Sequence, residues 1–181
     1  MLPWHALADP VTWGECLPRP GNQGTHGRDA SRTEGTLGDV INELPDPVLT
    51  QVYCLKAVPG QPVDFGDVPR GRRWFVPLAG GTFTGPELSG SLLSGGSASW
   101  QVLADGTARA ETRYTLQTDR GALLYVRTSG VGHGEPGHRL FHAATRIDAA
   151  APNMDWVNNG VFVTVAGCTT VSLLFETYLV G

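Results

Sequence analysis

The chain has 181 residues, of which 41% are hydrophobic and 17% charged, and its formal net charge is −4. This length suits one domain with its own core, and this composition excludes a disordered chain. The acidic balance excludes nucleic acid as an expected partner, and no apolar run is long enough for a transmembrane helix. The N-terminus lacks the cationic start and apolar core of a secretory signal. We therefore expect a soluble, cytoplasmic protein without a membrane partner.

The cysteines and histidines give no metal or disulfide pattern. Cys16, Cys54 and Cys168 are odd in number and far apart, which fits neither a disulfide framework nor a zinc site. His133 and His138 fall in a Gly-rich stretch and form no His-x-His pair with each other or with His142. The segment that begins at Gly80 lacks the Lys-Ser/Thr ending of a phosphate loop, and no dinucleotide fingerprint is present. We expect neither a metal nor a cofactor.

Residues 1–44 differ from the rest of the chain. The stretch from Gly21 to Arg32 is polar and Gly-rich, without a period of 2 or 3.6, which predicts a loop-rich N-terminal extension. Thr36–Leu44 could form one short helix, with Thr36 as its N-cap. Residues 45–181 are predicted to form the folded domain.

From residue 47 onward the hydrophobic period is 2, which predicts strands joined by short turns. Asp105-Gly106 is a strong two-residue hairpin pattern, because a type I′ turn requires positive φ at both central residues. Residues 153–160 are predicted to form a loop or a short helical turn. The predicted strands are Val48–Val58, Arg73–Leu78, Gly81–Thr84, Leu88–Ser94, Ala98–Ala104, Thr107–Thr118, Ala122–Thr128, His138–Asp148, Val161–Ala166 and Thr170–Val180.

So many strands with hairpin connections predict an all-β fold. No stretch of 10–15 residues with helical period separates them, so the sheet should be antiparallel. Closure removes exposed sheet edges, so we expect a closed antiparallel β-barrel of about 8–10 strands, with a sandwich as the alternative.

The predicted strand Thr107–Thr118 has one polar face. Arg109, Glu111 and Arg113 share it, and the other face carries Ala, Thr, Tyr and Leu. The period alone does not decide which face is inside, and for a single strand the polar face usually meets water. A catalytic role for these residues requires that the polar face line a cavity of roughly 300–1,000 Å³.

Three sequence features select further candidates for such a cavity. Glu111 and Arg113 form an i, i+2 pair that is either structural or catalytic, and Glu176 and Asp148 are carboxylates on other predicted strands. Buried away from a cation, Glu176 would have a raised pKa and could donate a proton. Most aromatic residues of a barrel belong to its core. Some aromatic and imidazole side chains are nevertheless predicted to line a pocket for an aromatic ligand. These candidates are Trp74, Trp100, Tyr125, His142, Trp156 and Tyr178.

Several ordered motifs resemble those of the family called domain of unknown function 3237, a UPF0311-like group. They include Gly80-Gly81-Thr82-Phe83-Thr84-Gly85-Pro86, Gly95-Gly96 followed by Trp100, Thr118-Asp119-Arg120-Gly121, Asp155-Trp156-Val157-Asn158 and Phe175-Glu176-Thr177-Tyr178. The resemblance covers about residues 47 to 180. Two positions depart from the family pattern, because Ser99 stands before Trp100 where Asp is usual, and Ile147-Asp148 stands where Phe-Glu is frequent.

The resemblance implies a closed antiparallel β-barrel and leaves two functions open. A similar protein of fungal biosynthetic clusters is a cofactor-free cyclase that adds a phenolic hydroxyl to a prenyl alkene of a polyketide. By this likeness the chain would be a stereoselective cyclase of secondary metabolism acting on a prenylated aromatic polyketide. Glu176 or Asp148 would then be the acid, Arg113 would polarise the phenolate, and Glu111 would orient Arg113. The alternative is a carrier barrel that binds a small apolar aromatic ligand without turnover. The sequence does not decide whether the chain forms a homo-oligomer.

Overall fold

The computed structural model describes residues 46–133, 140–168 and 172–181. The predicted extension 1–44, with its helix Thr36–Leu44, lies outside the described residues. The described strands are β1 (Leu49–Pro59), β2 (Val63–Val68), β3 (Gly71–Thr84), β4 (Gly90–Leu92), β5 (Gly96–Val102), β6 (Ala108–Thr118), β7 (Leu123–His133), β8 (Leu140–Ala149), β9 (Val161–Cys168) and β10 (Leu173–Val180). Between β8 and β9 lie a 3-10 turn, Pro152–Met154, and a short helix, α1 (Asp155–Asn159).

The ten strands form one antiparallel sheet that closes into a barrel, with β2 at an edge outside the closed ring. Their order runs β1-β10-β9-β8-β7-β6-β4-β3-β2, with β5 paired to both β3 and β6. The first strand closes the ring, because β1 pairs with β10 along one edge and with β3 along the other. The all-β, closed antiparallel barrel expected from the alternating pattern is confirmed, and the short helix over Asp155–Asn159 matches the predicted helical turn.

Three strands differ from the prediction, and one of them is β7, which extends to His133 where its predicted end was Thr128. The strand β2 was not expected, and β3 is one long strand where two short ones were predicted. The first half of β3 pairs with β5 and its second half pairs with β1. The pairing with β1, which closes the barrel, includes Gly81. A Cβ at Gly81 would lie 2.3 Å from the carbonyl oxygen of Lys56, so the close approach of β1 requires glycine there.

The hairpin between β5 and β6 forms where expected, but by a different turn. Asp105 does not have positive φ, whereas Gly106 has φ 82°. The Gly106 amide donates to the Leu103 carbonyl at 3.0 Å, and the Asp105 carboxylate accepts from the Thr107 amide at 2.9 Å. A turn that places its left-handed residue last needs positive φ only at the glycine, so the predicted type I′ turn is wrong.

Three expectations drawn from composition can be compared with the described residues. None of the described helices has both the length and the apolar character needed to cross a bilayer. Within the described ranges, no group of three or more His, Cys, Asp or Glu side chains could hold a metal ion. Cys54 in β1 is disulfide-bonded, which the wide spacing of the three cysteines did not predict.

The barrel has two different ends. We call the end where β5 finishes and β6 begins the upper end, and the end covered by α1 the lower end. Met154 and Val157 are buried at the lower end in the same core cluster as Leu116 and Phe162. Burial of these apolar side chains, at about 25 cal/mol per Å², holds α1 on the barrel. The apolar core cluster therefore extends to the lower end of the barrel.

Candidate functional site

Strand β6 presents its charged residues to the outside of the barrel. Arg109, Glu111 and Arg113 are exposed, whereas the alternate residues Thr112 and Tyr114 are buried. The polar face of this strand therefore does not line the interior, as a catalytic role in a cavity would require. An ionised Glu or Arg loses much of its hydration free energy in an apolar interior, so the Ala, Thr, Tyr and Leu face occupies it instead.

The two other predicted acids also lie on the outer face, each with its own partner. Glu176 in β10 is half-buried and accepts a 2.7 Å hydrogen bond from the Tyr178 hydroxyl. Asp148 in β8 forms an ion pair with Arg127 of β7 at 3.0 Å. Solvent weakens the attraction between these two charges, because the Asp148 side chain is 58% exposed. The catalytic roles of the four predicted residues stay predictions, and none of the four side chains points into the barrel.

The predicted ligand-binding residues are spread over the molecule. Tyr125 in β7, which is 41% exposed, and His142 in β8 lie on the outer face, as does Tyr178. Trp156 in α1 packs against Phe162 near the lower end, with 6.1 Å between ring centroids. These four side chains are not brought together.

Trp74 and Trp100 lie directly opposite each other on β3 and β5, towards the upper end. The Arg72 guanidinium carbon stands 5.4 Å from the centroid of the Trp74 ring, and its Nη2 pairs with Asp64 of β2 at 2.7 Å. The hydrogen bond from Arg72 lowers the pKa of the Asp64 carboxyl. Directly opposed residues of an antiparallel pair place their side chains on the same face, so Trp74 lies on the same face of the sheet as Trp100, with the Arg72–Asp64 ion pair beside it.

The upper half of the interior contains a pocket, which we call the upper pocket. Its aromatic wall is formed by Trp100, Phe141 and Phe175, and Leu173 completes the apolar side. The rings of Trp100 and Phe141 are stacked, with centroids 6.0 Å apart and planes inclined by 20°. A wall of this kind suits a flat apolar or aromatic guest.

Small residues make this ring stack possible. Trp100 pairs across the sheet with Ala110, Ala110 pairs with Gly130, and Gly130 pairs with Ala143. A Cβ at Gly130 would lie 2.6 Å from the Cβ of Ala143, so this row has no room for a larger side chain. The bare row lets the rings from β5 and β8 meet across two intervening strands.

Two buried threonines supply the polar atoms of the upper pocket. Thr112 and Thr128 line it, with 3% and 7% of their surfaces exposed. They stand directly opposite each other on β6 and β7. Among the described residues neither hydroxyl has a side-chain hydrogen-bond partner, and an unmet buried hydroxyl costs about 1–3 kcal/mol. Both hydroxyls are thus available to a guest.

The pocket between these walls is small. Its cavity volume is about 20 Å³, room for about one water molecule. The upper pocket is therefore much smaller than the cavity of several hundred Å³ that a catalytic role for the polar face of β6 would require. A guest of aromatic size has to displace part of the wall, and the stacked rings of Trp100 and Phe141 can turn without breaking a hydrogen bond of the sheet.

A row of buried hydroxyls runs along the barrel wall from β6 through β10 to β1; we call it the hydroxyl belt. Thr164 bonds to Thr145 at 2.6 Å and to Thr177 at 2.9 Å, and the Tyr53 and Tyr114 hydroxyls lie 3.2 Å apart. Burial raises the pKa of Tyr53, which hydrogen bonds from Thr177 and Tyr114 partly offset, and burial raises the pKa of Tyr114 well above its usual value. The members of the belt are Thr112, Thr128, Thr145, Thr164, Thr177, Tyr53 and Tyr114.

Sequence reasoning found Trp100 but missed most of the pocket. Phe141, Phe175, Thr112 and Thr128 line the pocket and are not among the predicted site residues. One pattern could have found them: inward positions that carry Thr, Ala and Gly instead of branched aliphatic residues leave a barrel underfilled at that level.

Comparisons with known proteins agree with this architecture. A β-barrel-like protein from Acinetobacter baumannii matches the structure with a TM-score of 0.71 and 26% identity, over 77% of this chain and 99% of that chain. A UPF0311 protein of Clostridium acetobutylicum is 26% identical over 156 residues, which cover 78% of this chain and 99% of the relative.

One relative has a named activity. A hydroalkoxylation enzyme of Penicillium herquei is 32% identical over 82 residues, which cover 45% of this chain and 49% of that enzyme. The family model described as protein of unknown function (DUF3237) matches residues 47–180, the whole of the barrel. By this match, the chain belongs to the DUF3237 family.

Proposed function

We propose that the chain is a cofactor-independent cyclase that closes an oxygen heterocycle in a small aromatic, alkene-bearing molecule held in the upper pocket. One observation carries the proposal: an aromatic wall, formed by Trp100, Phe141 and Phe175, faces two buried hydroxyls that have no side-chain partner among the described residues. The hydroalkoxylation activity named for the Penicillium herquei relative supports the same reaction class.

The reaction adds the O–H bond of a phenol across a carbon–carbon double bond. The hydrogen goes to the less substituted alkene carbon, the oxygen bonds to the more substituted one, and no atom leaves. Since the electrons balance within the substrate, no cofactor is required. The ring faces of Trp100 and Phe141 would stabilise positive charge as it develops on the more substituted carbon.

No ionisable side chain among the described residues lines the upper pocket. The proton that reaches the alkene would therefore be the one that the phenol gives up. The pocket would accelerate the reaction by holding oxygen and alkene in register and by excluding water, which can contribute up to about 7–11 kcal/mol for well-oriented groups. A fixed register also selects one face of the alkene, and so one handedness of product.

Incubation of the full chain with 2-geranylphenol tests the proposal, because its chroman product has a stereocentre. We expect an enantiomeric excess by chiral chromatography and a rate above that in buffer. Trp100→Ala and Phe141→Ala should lose both, while Tyr125→Ala, an aromatic deletion on the outer face, should keep them. Circular dichroism checks that each variant is folded. Racemic product at the buffer rate would end the proposal.

A carrier function is the second candidate. It is favoured by the same absence of ionisable groups among the described lining residues, since a cavity lined by apolar and hydroxyl groups binds a ligand without offering a strong acid or base. A carrier would bind geranylphenol and release it unchanged. Saturable binding measured by calorimetry, with chroman formation equal to the buffer control, would identify the carrier.

A further inference from the structure

We infer that the upper pocket takes its ligand oxygen-first, with one uncharged oxygen of the ligand held between the hydroxyls of Thr112 and Thr128. The inference rests on the proposed function for its site and adds the orientation and the chemical class of the ligand.

The two threonines differ from the rest of the hydroxyl belt. Thr145, Thr164 and Thr177 are tied to one another or to Tyr53, and Tyr53 is tied to Tyr114. Thr112 and Thr128 belong to the same belt and are more than nine-tenths buried, yet neither is bonded to another described side chain. They are also the two belt members that line the cavity.

A hydroxyl donates one hydrogen bond and accepts up to two. A pair of facing hydroxyls can therefore donate to a carbonyl oxygen, or donate to and accept from a phenol. A carboxylate or phosphate would enter without a cation, because no Lys, Arg or His among the described residues lines the pocket. The ligand class is thus a neutral phenol or ketone with an apolar body.

The position of the threonines sets the orientation of that body. Ala110 pairs with Trp100, and Thr112 is the next residue of β6 on the same inward face. The threonine hydroxyls therefore lie closer to the lower end than the ring stack does. A ligand whose oxygen rests on the hydroxyls must place its apolar part against Trp100 and Phe141, towards the upper end.

Phenol and toluene provide the test, since they have nearly the same shape and differ in the hydroxyl. Calorimetric titration of the wild-type chain should show a preference for phenol. Thr112→Val and Thr128→Val should each lower phenol affinity about 2- to 10-fold, the range of one hydrogen bond, and should leave toluene affinity within about twofold.

Two further variants separate this result from loss of structure. Thr128→Ser keeps a hydroxyl and should restore the preference for phenol. Thr145→Val removes a belt hydroxyl that is bonded to Thr164 and does not line the cavity, so it should keep the wild-type ratio of the two affinities.

An unchanged ratio in both valine variants would overturn the inference, as would a wild-type chain that binds neither probe or binds both equally. Neither probe carries an alkene, so the outcome is independent of cyclisation. A chain that prefers phenol through Thr112 and Thr128, and yet makes no chroman from 2-geranylphenol, would keep this inference and lose the proposed function.

Discussion

Replacing Thr112 with valine should stabilise the folded chain. Its hydroxyl is buried to all but 3% and has no described side-chain partner, so the wild type bears the cost of an unmet donor. That cost is about 1–3 kcal/mol, and valine has nearly the same shape as threonine without the hydroxyl. The cavity of about 20 Å³ beside it leaves room for the extra methyl group. We therefore expect Thr112→Val to raise the free energy of unfolding by about 1–2 kcal/mol.

Thr164→Val provides the matched comparison. Its hydroxyl makes two hydrogen bonds, at 2.6 Å to Thr145 and 2.9 Å to Thr177, and its loss leaves both partners short of a bond. The same substitution should there lower the free energy of unfolding by about 2–3 kcal/mol. The two variants should thus differ in sign although both exchange a buried threonine for valine.

Urea denaturation followed by circular dichroism measures both changes, with equal m-values as the check that the unfolded states are comparable. In a thermal scan, each kcal/mol should move the midpoint by about 2–4 °C. If Thr112→Val destabilises the chain as much as Thr164→Val does, the Thr112 hydroxyl already has a partner, such as a trapped water, and the reasoning about the pocket fails.

Three other substitutions test other parts of the argument. Burial raises the pKa values of Tyr53 and Tyr114, so as pH rises the unfolded chain should lose their phenolic protons before the folded chain does. The free energy of unfolding should be unaffected below about pH 10 and then fall by up to about 1.4 kcal/mol per pH unit for each tyrosine. Urea titrations at several pH values should show a smaller slope for Tyr53→Phe. Glu111→Gln on the exposed face of β6 should leave the rate of chroman formation within about twofold, since a charge in water acts weakly on the interior; a loss of about tenfold would contradict the placement of the site. Gly71→Ala should destabilise the barrel by more than about 1 kcal/mol, because Gly71 has φ 120° and its Cβ would lie 2.1 Å from a backbone oxygen; an unchanged thermal midpoint would refute this.

The fold could be predicted from the sequence because its determinants are local. Alternating apolar residues mark each long strand, and turn glycines such as Gly106 and Gly121 mark the hairpins. The strand β2 escaped prediction because Gly66 and two aspartates interrupt its pattern, and because it pairs only with β3 at the edge of the sheet.

The site could not be predicted, because its determinants are not local. On β6 the charged and uncharged faces alternate with the same period, and only closure of the ring decides that Thr112 points inward and Glu111 outward. The ring stack of Trp100 and Phe141 depends on the register of the four strands β5 to β8, which places Ala110 and Gly130 between the two rings. Small residues at those positions carry no sequence pattern of their own.

The lower end of the barrel is plugged by Met154 and Val157, which α1 and the preceding turn bury in the core. Among the described residues these side chains close the lower end, so a substrate of the upper pocket would enter and its product would leave by the upper end. A product that has not yet left the pocket then prevents the next substrate from binding. Turnover should then slow as product accumulates, through plain competition, even where bond making is fast.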